Sequence, residues 1–80
     1  MNAINENEIA SCVRKALNNY LNDLEGEKPS SIHGMVIQSV EKPMIEVVMQ
    51  HTCGNQTQAA ELLGINRNTL RNKIKQYQIK

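Results

Sequence analysis

Residues 32–51 constrain the fold of this chain more than any other segment. Their apolar residues are Ile32, Met35, Val36, Ile37, Val40, Met44, Ile45, Val47, Val48 and Met49. At 100° per residue these side chains spread over nearly the whole circumference of a helix, and a helix that is apolar all round is buried all round. An 80-residue chain has too little other material to cover it. The segment therefore favours a homodimer, in which a second copy supplies the missing contacts.

The composition agrees with this interpretation. The chain has no Phe, no Trp, two Tyr and four Met, and a chain this short buries only about 60 % of its unfolded surface. Its two Cys residues do not make a disulfide scaffold. We expect one compact domain that oligomerisation stabilises.

Helical periodicity runs along the whole chain, so we predict an all-α fold with four helices. The first spans residues 6–24, where apolar side chains recur at three- and four-residue spacing. Asn5 and Glu8 give a start that resembles a capping box, and Gly26 fits just past the end.

The second helix spans residues 32–51, after a polar connector in which Ser30 or Ser31 can cap it. Pro43 cannot donate to the Ser39 carbonyl, and its ring crowds that carbonyl. Two interpretations follow: one helix kinked near Ser39–Pro43, or two short helices with Pro43 in the first turn of the second. We favour the kinked helix because the apolar pattern does not break.

Residues 55–77 have the pattern of a helix-turn-helix. Asn55 caps a short helix over residues 56–63, and Asn66 caps a last helix from residue 67 to about 77. Ala60 is small enough for the two helices to cross closely, Gly64 can adopt the left-handed backbone of the turn, and Ile65 fills the corner. The last helix is expected to pack Leu70, Ile74 and Tyr77 against Ala59, Leu62 and Leu63.

The charge distribution divides the chain in two. Residues 1–53 hold four Lys and Arg against seven acids, a net charge of −3, whereas residues 54–80 hold five against one, a net charge of +4. We therefore expect dimerisation helices over 1–53 and a helix-turn-helix region over 54–80 that faces a polyanion.

The second helix of this motif places its N-terminal residues at base edges in the major groove. Asn66, Arg67 and Asn68 hold those positions, and Arg pairs well with guanine and Asn with adenine. Other residues suit the phosphates, either as cations or at the N-terminus of the short helix, where free amides favour an anion. These are Asn55, Gln56, Thr57, Arg71, Lys73 and Lys75.

Two stretches, Gly54–Ala60 and Gly64–Lys73, resemble the helix-turn-helix of the Fis family (factor for inversion stimulation), which are bacterial nucleoid-associated proteins. Upstream similarity lies at Lys15–Tyr20, Val40–Pro43 and Val48–Gln50. The resemblance implies a homodimer whose first two helices intertwine with those of the partner. It also implies paired recognition helices closer than one turn of DNA, so that DNA must bend and is chosen mostly by shape.

Matched position by position, the resemblance implies that Arg67 reads a guanine near each end of the site and that Asn66 contacts a base nearby. It places Asn55, Thr57, Thr69, Arg71 and Lys73 on the DNA backbone. The expected function is a DNA-binding and DNA-bending regulator of transcription in the nucleoid. Its expected partners are double-stranded DNA and a second copy, with RNA polymerase and a site-specific recombinase as candidate protein partners.

The chain departs from the family pattern at several positions. Gln58, Asn72, Cys53 and Gln76 stand where the family usually has basic residues, and Asn68 replaces a Gly. The logarithm of the DNA affinity falls linearly with the logarithm of the salt concentration, and each lost phosphate contact lowers the steepness of this salt slope by up to ~0.9. Only about eight residues precede the first matched helix, whereas the family carries in that region an arm that touches DNA invertases. We therefore do not expect from the resemblance that this protein stimulates site-specific DNA inversion.

Other classes find little support. No apolar run approaches the ~18 residues of a membrane span, and the start of the chain lacks the features of a signal peptide, so we expect a cytoplasmic protein. His51 and Cys53 have no second pair at metal-ligand spacing. Cys12 lies beside Val13 in the first helix and is expected to pack. We expect that the protein is not an enzyme and that it binds no cofactor. The alternatives are a detached DNA-binding module of an enhancer-binding regulator, and a helical protein-interaction dimer.

Overall fold

The computed structural model describes residues 6–27 and 31–80, with side chains from residue 8 onward, and those residues form four α-helices and no strand. The helices are α1 (Glu6–Asp23), α2 (Ile32–His51), α3 (Gln56–Leu63) and α4 (Arg67–Tyr77). The all-α prediction is confirmed, and α1 ends one residue before the expected Leu24. The expected caps Asn5 and Ser30 lie outside the described residues. The chain divides into two compact units, and the boundary between them falls within α2, between Val36 and Ile37.

The first unit holds α1 and the start of α2. None of the described side chains of α1 is fully buried, and Ile9 and Leu21 are about half exposed. Cys12 is exposed, so the expectation that it packs is wrong within one chain. Its neighbour Val13 takes the partly buried position instead.

A single helix carries Pro43 in its interior, which confirms the one-helix interpretation of residues 32–51. The kink near this residue stays a prediction. Ser31, just before the helix, has a left-handed backbone (φ 56°) instead of the extended one of a capping residue. Its carbonyl accepts a 2.9 Å hydrogen bond from the Met35 amide.

The apolar surface of α2 resolves into two faces. One face points into the second unit, where Ile45 and Met49 are buried and Val48 packs beside them. The other face is exposed at Ile37, Val40, Met44 and Val47. The spacing of these four residues, three, four and three, places them in one stripe along the helix.

The core of the second unit joins α2 to the two short helices. Its buried residues are Ile45, Met49, Ala59, Ala60 and Leu70, and Val48, Leu63, Ile65, Ile74, Tyr77 and Ile79 pack against them. The expected roles of Ala60 and Ile65 agree with this core. Leu62 does not take the expected role, because its side chain is 59 % exposed. Leu63 and Ala59 occupy the inward positions of α3, and Leu62 points away from them.

Three helices of this unit end in the same way. The Gly64 amide donates to the Glu61 carbonyl and the Ile65 amide to the Ala60 carbonyl, which is the Schellman pattern. Gly64 has the expected left-handed backbone, φ 75°. The pattern recurs after α4 at Gln78 and Ile79, and after α2 at Cys53 and Gly54.

Candidate nucleic-acid interface

The N-termini of α3 and α4 are both capped by an asparagine. Asn55 accepts a 3.1 Å hydrogen bond from the Gln58 amide through Oδ1, and Asn66 accepts a 2.7 Å bond from the Asn68 amide. Both caps have the extended backbone that this position requires. Both capping predictions are confirmed.

The cap at Asn66 limits how that residue can meet a base. Reading adenine with two bonds requires an Asn side chain to accept through Oδ1 and donate through Nδ2. Oδ1 of Asn66 is already used by the Asn68 amide, whereas Nδ2 is free to donate. While the cap is intact, one lone pair of Oδ1 is committed to the Asn68 amide, so Nδ2 is the side-chain group of Asn66 that stays fully available to DNA.

A side-chain contact links the starts of the two helices. Nη1 of Arg67, the first residue of α4, donates to Oγ1 of Thr57 in the first turn of α3 at 3.5 Å. Both side chains are exposed, and 3.5 Å is the long end of a hydrogen bond. The contact places the guanidinium beside the N-terminus of α3, so that one surface carries both expected base-reading and backbone-contact residues.

The outward face of α4 is polar and exposed. Its exposed residues are Arg67, Asn68, Thr69, Arg71, Asn72, Lys75 and Gln76. Thr57 and Asn55 on α3 are exposed as well, whereas Gln56 is half-buried. The surface can accept a polyanion along one side of α4 and across the first turn of α3.

Lys73 stands apart from the other cations of α4. Its ammonium lies 2.9 Å from Oε1 of Glu41 on α2, and the same oxygen accepts a hydrogen bond from the Tyr77 hydroxyl. The hydrogen bond from Tyr77 and then that from Lys73 lower the pKa of the Glu41 carboxyl below its ordinary value. The bond to Glu41 raises the pKa of Tyr77. The structure therefore does not leave Lys73 facing solvent with Arg71 and Lys75.

Sequence reasoning missed Glu41 as a member of this surface. The available signal was its position four residues before Ile45, on the face of α2 that also carries Met49. An acid at one end of a buried stripe requires a partner, and Lys73 and Tyr77 are four residues apart on α4. Thr52 was missed too; it is buried and its hydroxyl donates to the Met49 carbonyl at 3.2 Å.

Two other kinds of site receive no support from the described part of the chain. Among those residues, no three His, Cys, Asp or Glu side chains are grouped to hold a metal ion. No helix in that part is long and apolar enough to cross a bilayer.

Comparison with known proteins shows which family the segment that carries this surface matches. Residues 36–77 match the model of the Fis family of bacterial regulatory proteins. The chain is 47 % identical over 74 residues to a Fis-like protein of Ralstonia nicotianae, covering 92 % of this chain and 96 % of that protein. It is 52 % identical over 65 residues to the DNA-binding protein Fis of Glaesserella parasuis and 54 % identical to that of Mannheimia haemolytica, covering 81 % of this chain in each case.

The match differs in extent between these relatives. The chain spans nearly all of the Ralstonia protein but 66 %, just under two thirds, of the Glaesserella and Mannheimia proteins. The matched residues include the whole helix-turn-helix and the segment of α2 that packs against it. The chain therefore belongs to the Fis family of bacterial regulatory proteins.

Proposed function

We propose that this protein is a homodimer that binds double-stranded DNA, bends it and regulates transcription from the nucleoid. The observation that carries the proposal is the helix-turn-helix with its exposed polar α4, in a chain whose relatives are named DNA-binding proteins. The boundary between dimerisation helices (1–53) and DNA-binding region (54–80) is part of the proposal.

Within the motif, Arg67 and Asn66 contact bases. Arg67 begins α4 and carries the paired donors that guanine O6 and N7 accept. Asn66 contributes its Nδ2 donor. Backbone phosphates are held by the N-terminus of α3 and by the exposed shoulder of α4. The proposed backbone contacts are Asn55, Gln56, Thr57, Thr69, Arg71 and Lys75; Lys73 differs from them in its ion pair with Glu41.

The exposed stripe of α2 supports the homodimer. Val47 is 63 % exposed, and Ile37, Val40 and Met44 lie in line with it. A contiguous apolar stripe on a small soluble chain marks an interaction surface, and its three- and four-residue spacing suits packing against another helix. A second copy offers the same stripe.

Bending follows from the family pattern. Two recognition helices that are closer together than one turn of DNA reach successive major grooves only when the DNA curves toward the protein. The energy of that curvature depends on base sequence, so site choice comes largely from deformability, with few base contacts.

A circularly permuted gel shift tests binding and bending together. One AT-rich site with a guanine near each end is placed at different positions along fragments of equal length. We expect a complex whose mobility is lowest when the site lies near the middle of the fragment.

The other outcomes separate the alternatives. A shift that is independent of site position leaves the helix-turn-helix but removes the bend, and favours a DNA-binding module of a larger regulator. No shift even at low salt contradicts DNA binding and favours a protein-interaction dimer.

A further inference from the structure

Lys73 differs from the other cations of α4 in having a carboxylate partner. Within residues 6–27 and 31–80 the structure shows one ion pair, between Lys73 and Glu41. Arg67, Arg71 and Lys75 are exposed, while the Lys73 side chain is 27 % exposed and that of Glu41 is 19 % exposed. Salt screens a partly buried pair less than an exposed one.

Tyr77 orients the carboxylate of this pair. Its hydroxyl donates to Glu41 Oε1 at 2.5 Å, and the same oxygen lies 2.9 Å from Lys73 Nζ. Lys73 and Tyr77 are one turn apart on α4, so both donors reach a single acceptor on α2. The oxygen is therefore held in place, and the lysine lies toward α2 instead of outward beside Arg71.

We infer that Glu41 withholds the Lys73 ammonium from the DNA backbone and so limits how many phosphates the helix-turn-helix neutralises. The inference rests on the proposed function and deepens it. Counterions leave DNA when a protein cation neutralises a phosphate. A lysine that a carboxylate already neutralises brings no net charge to the phosphate, so no counterion leaves the DNA at that phosphate. Glu41 is thus a positioning residue that acts through Lys73.

The salt slope of DNA binding tests this directly. Four proteins are compared: wild type, Glu41→Gln, the double variant Glu41→Gln/Lys73→Met, and Arg71→Met. Gln keeps an oxygen that can accept from Tyr77 but has no charge, and Met keeps the apolar stem of lysine. Affinity for an AT-rich duplex with a guanine near each end is measured by fluorescence anisotropy between 50 and 200 mM KCl.

We expect Glu41→Gln to steepen the slope by about 0.9 per protomer, because it frees Lys73 for a phosphate. Across this range its affinity should fall by a further factor of about 3.5 per protomer. The double variant should return to the wild-type slope. Arg71→Met should lower the slope by about 0.9 per protomer. A merely structural role for Glu41 would change affinity by the same factor at every salt concentration.

Three outcomes overturn the inference. It fails if the double variant falls below wild type by as much as Arg71→Met does, since Lys73 would then already neutralise a phosphate. It fails if Glu41→Gln keeps the wild-type slope while Arg71→Met lowers it, and in both cases the proposed function stands. Binding without salt dependence in all four proteins contradicts the proposed function as well.

Tyr77→Phe provides a second variant in case Glu41→Gln does not fold. It loosens the carboxylate and leaves both charges in place. We expect a slope between those of wild type and Glu41→Gln, and a slope equal to that of wild type contradicts the inference.

Discussion

The Tyr77 hydroxyl donates a 2.5 Å hydrogen bond to the carboxylate of Glu41, and thereby ties the end of α4 to the middle of α2. The two residues are 36 positions apart in the chain. Together with the Lys73 ion pair, this bond holds α4 against the helix that also carries the exposed apolar stripe.

The Glu41–Tyr77 bond makes stability depend on pH. The bond is the largest cause of the lowered pKa of Glu41 in the folded protein. Its contribution is therefore present above the unfolded value of about 4.5 and is lost as pH falls through the lower folded value. We expect the stability difference between wild type and Tyr77→Phe to shrink below pH 4.5 in urea unfolding experiments. Tyr20→Phe, on α1, is the matched control.

The same bond predicts a second loss of stability at alkaline pH. The pKa of Tyr77 is raised above 10 by its bond to Glu41, so the contribution is present below pH 10 and is lost as pH rises through the folded value. In the acid range, a difference in unfolding free energy between wild type and Tyr77→Phe that stays constant from pH 7 down to pH 3 would contradict the Glu41–Tyr77 bond in solution.

Arg67 is expected to read a guanine near each end of the site. Arg67→Ala should weaken binding by roughly 1–3 kcal/mol and relax the preference for guanine at those positions. Titration of two duplexes, one with guanine and one with adenine at the site ends, measures both effects. Lys80→Ala, at the C-terminus, is the control. If Arg67→Ala retains full affinity and preference, the base-reading assignment is wrong.

The exposed stripe of α2 is expected to hold the dimer together. Val47→Glu should shift the protein to monomer at micromolar concentration, because it places a charge in an apolar interface. Leu62→Glu is a close control, since Leu62 is 59 % exposed and Val47 is 63 % exposed, but Leu62 lies on α3. Sedimentation velocity should show a dimer for wild type and Leu62→Glu. Equal dissociation of both variants, or of neither, would place the interface elsewhere.

Cys53 occupies a backbone conformation that glycine prefers. Its φ is 54°, and it is the first left-handed residue after α2. A left-handed backbone costs an ordinary residue roughly 1–2 kcal/mol, part of which glycine loses again to unfolded-state entropy. Cys53→Gly should therefore raise the free energy of unfolding by about 0.5–1 kcal/mol. Gly64→Ala, the reverse change at φ 75°, should lower it.

Local chemistry made much of this fold readable in advance. Asn55, Asn66 and Gly64 each have a side chain, or lack one, that suits a single kind of helix end, so the bounds of α3 and α4 follow from neighbours a few residues apart. The 20 residues of α2 were predicted as one helix for a similar reason, since its apolar pattern continues through Pro43.

Contacts between distant residues were not readable in this way. Leu62 and Leu63 are chemically identical neighbours, yet only Leu63 packs against the core, because the crossing of α3 and α4 selects which one turns inward. Ile79 packs there too, since the left-handed Gln78 redirects the chain after α4.

The sequence by itself determined the four helices, the turn between α3 and α4, and the basic surface that α4 presents, because each depends on residues close together in the chain. The tertiary structure decided which face of α2 is covered and which stays exposed. It also decided that Lys73 pairs with Glu41, 32 residues away, while Arg71 stays free of an acid among the described residues. Helical periodicity fixes the direction of a side chain on its own helix, but only packing between helices fixes which charge it meets.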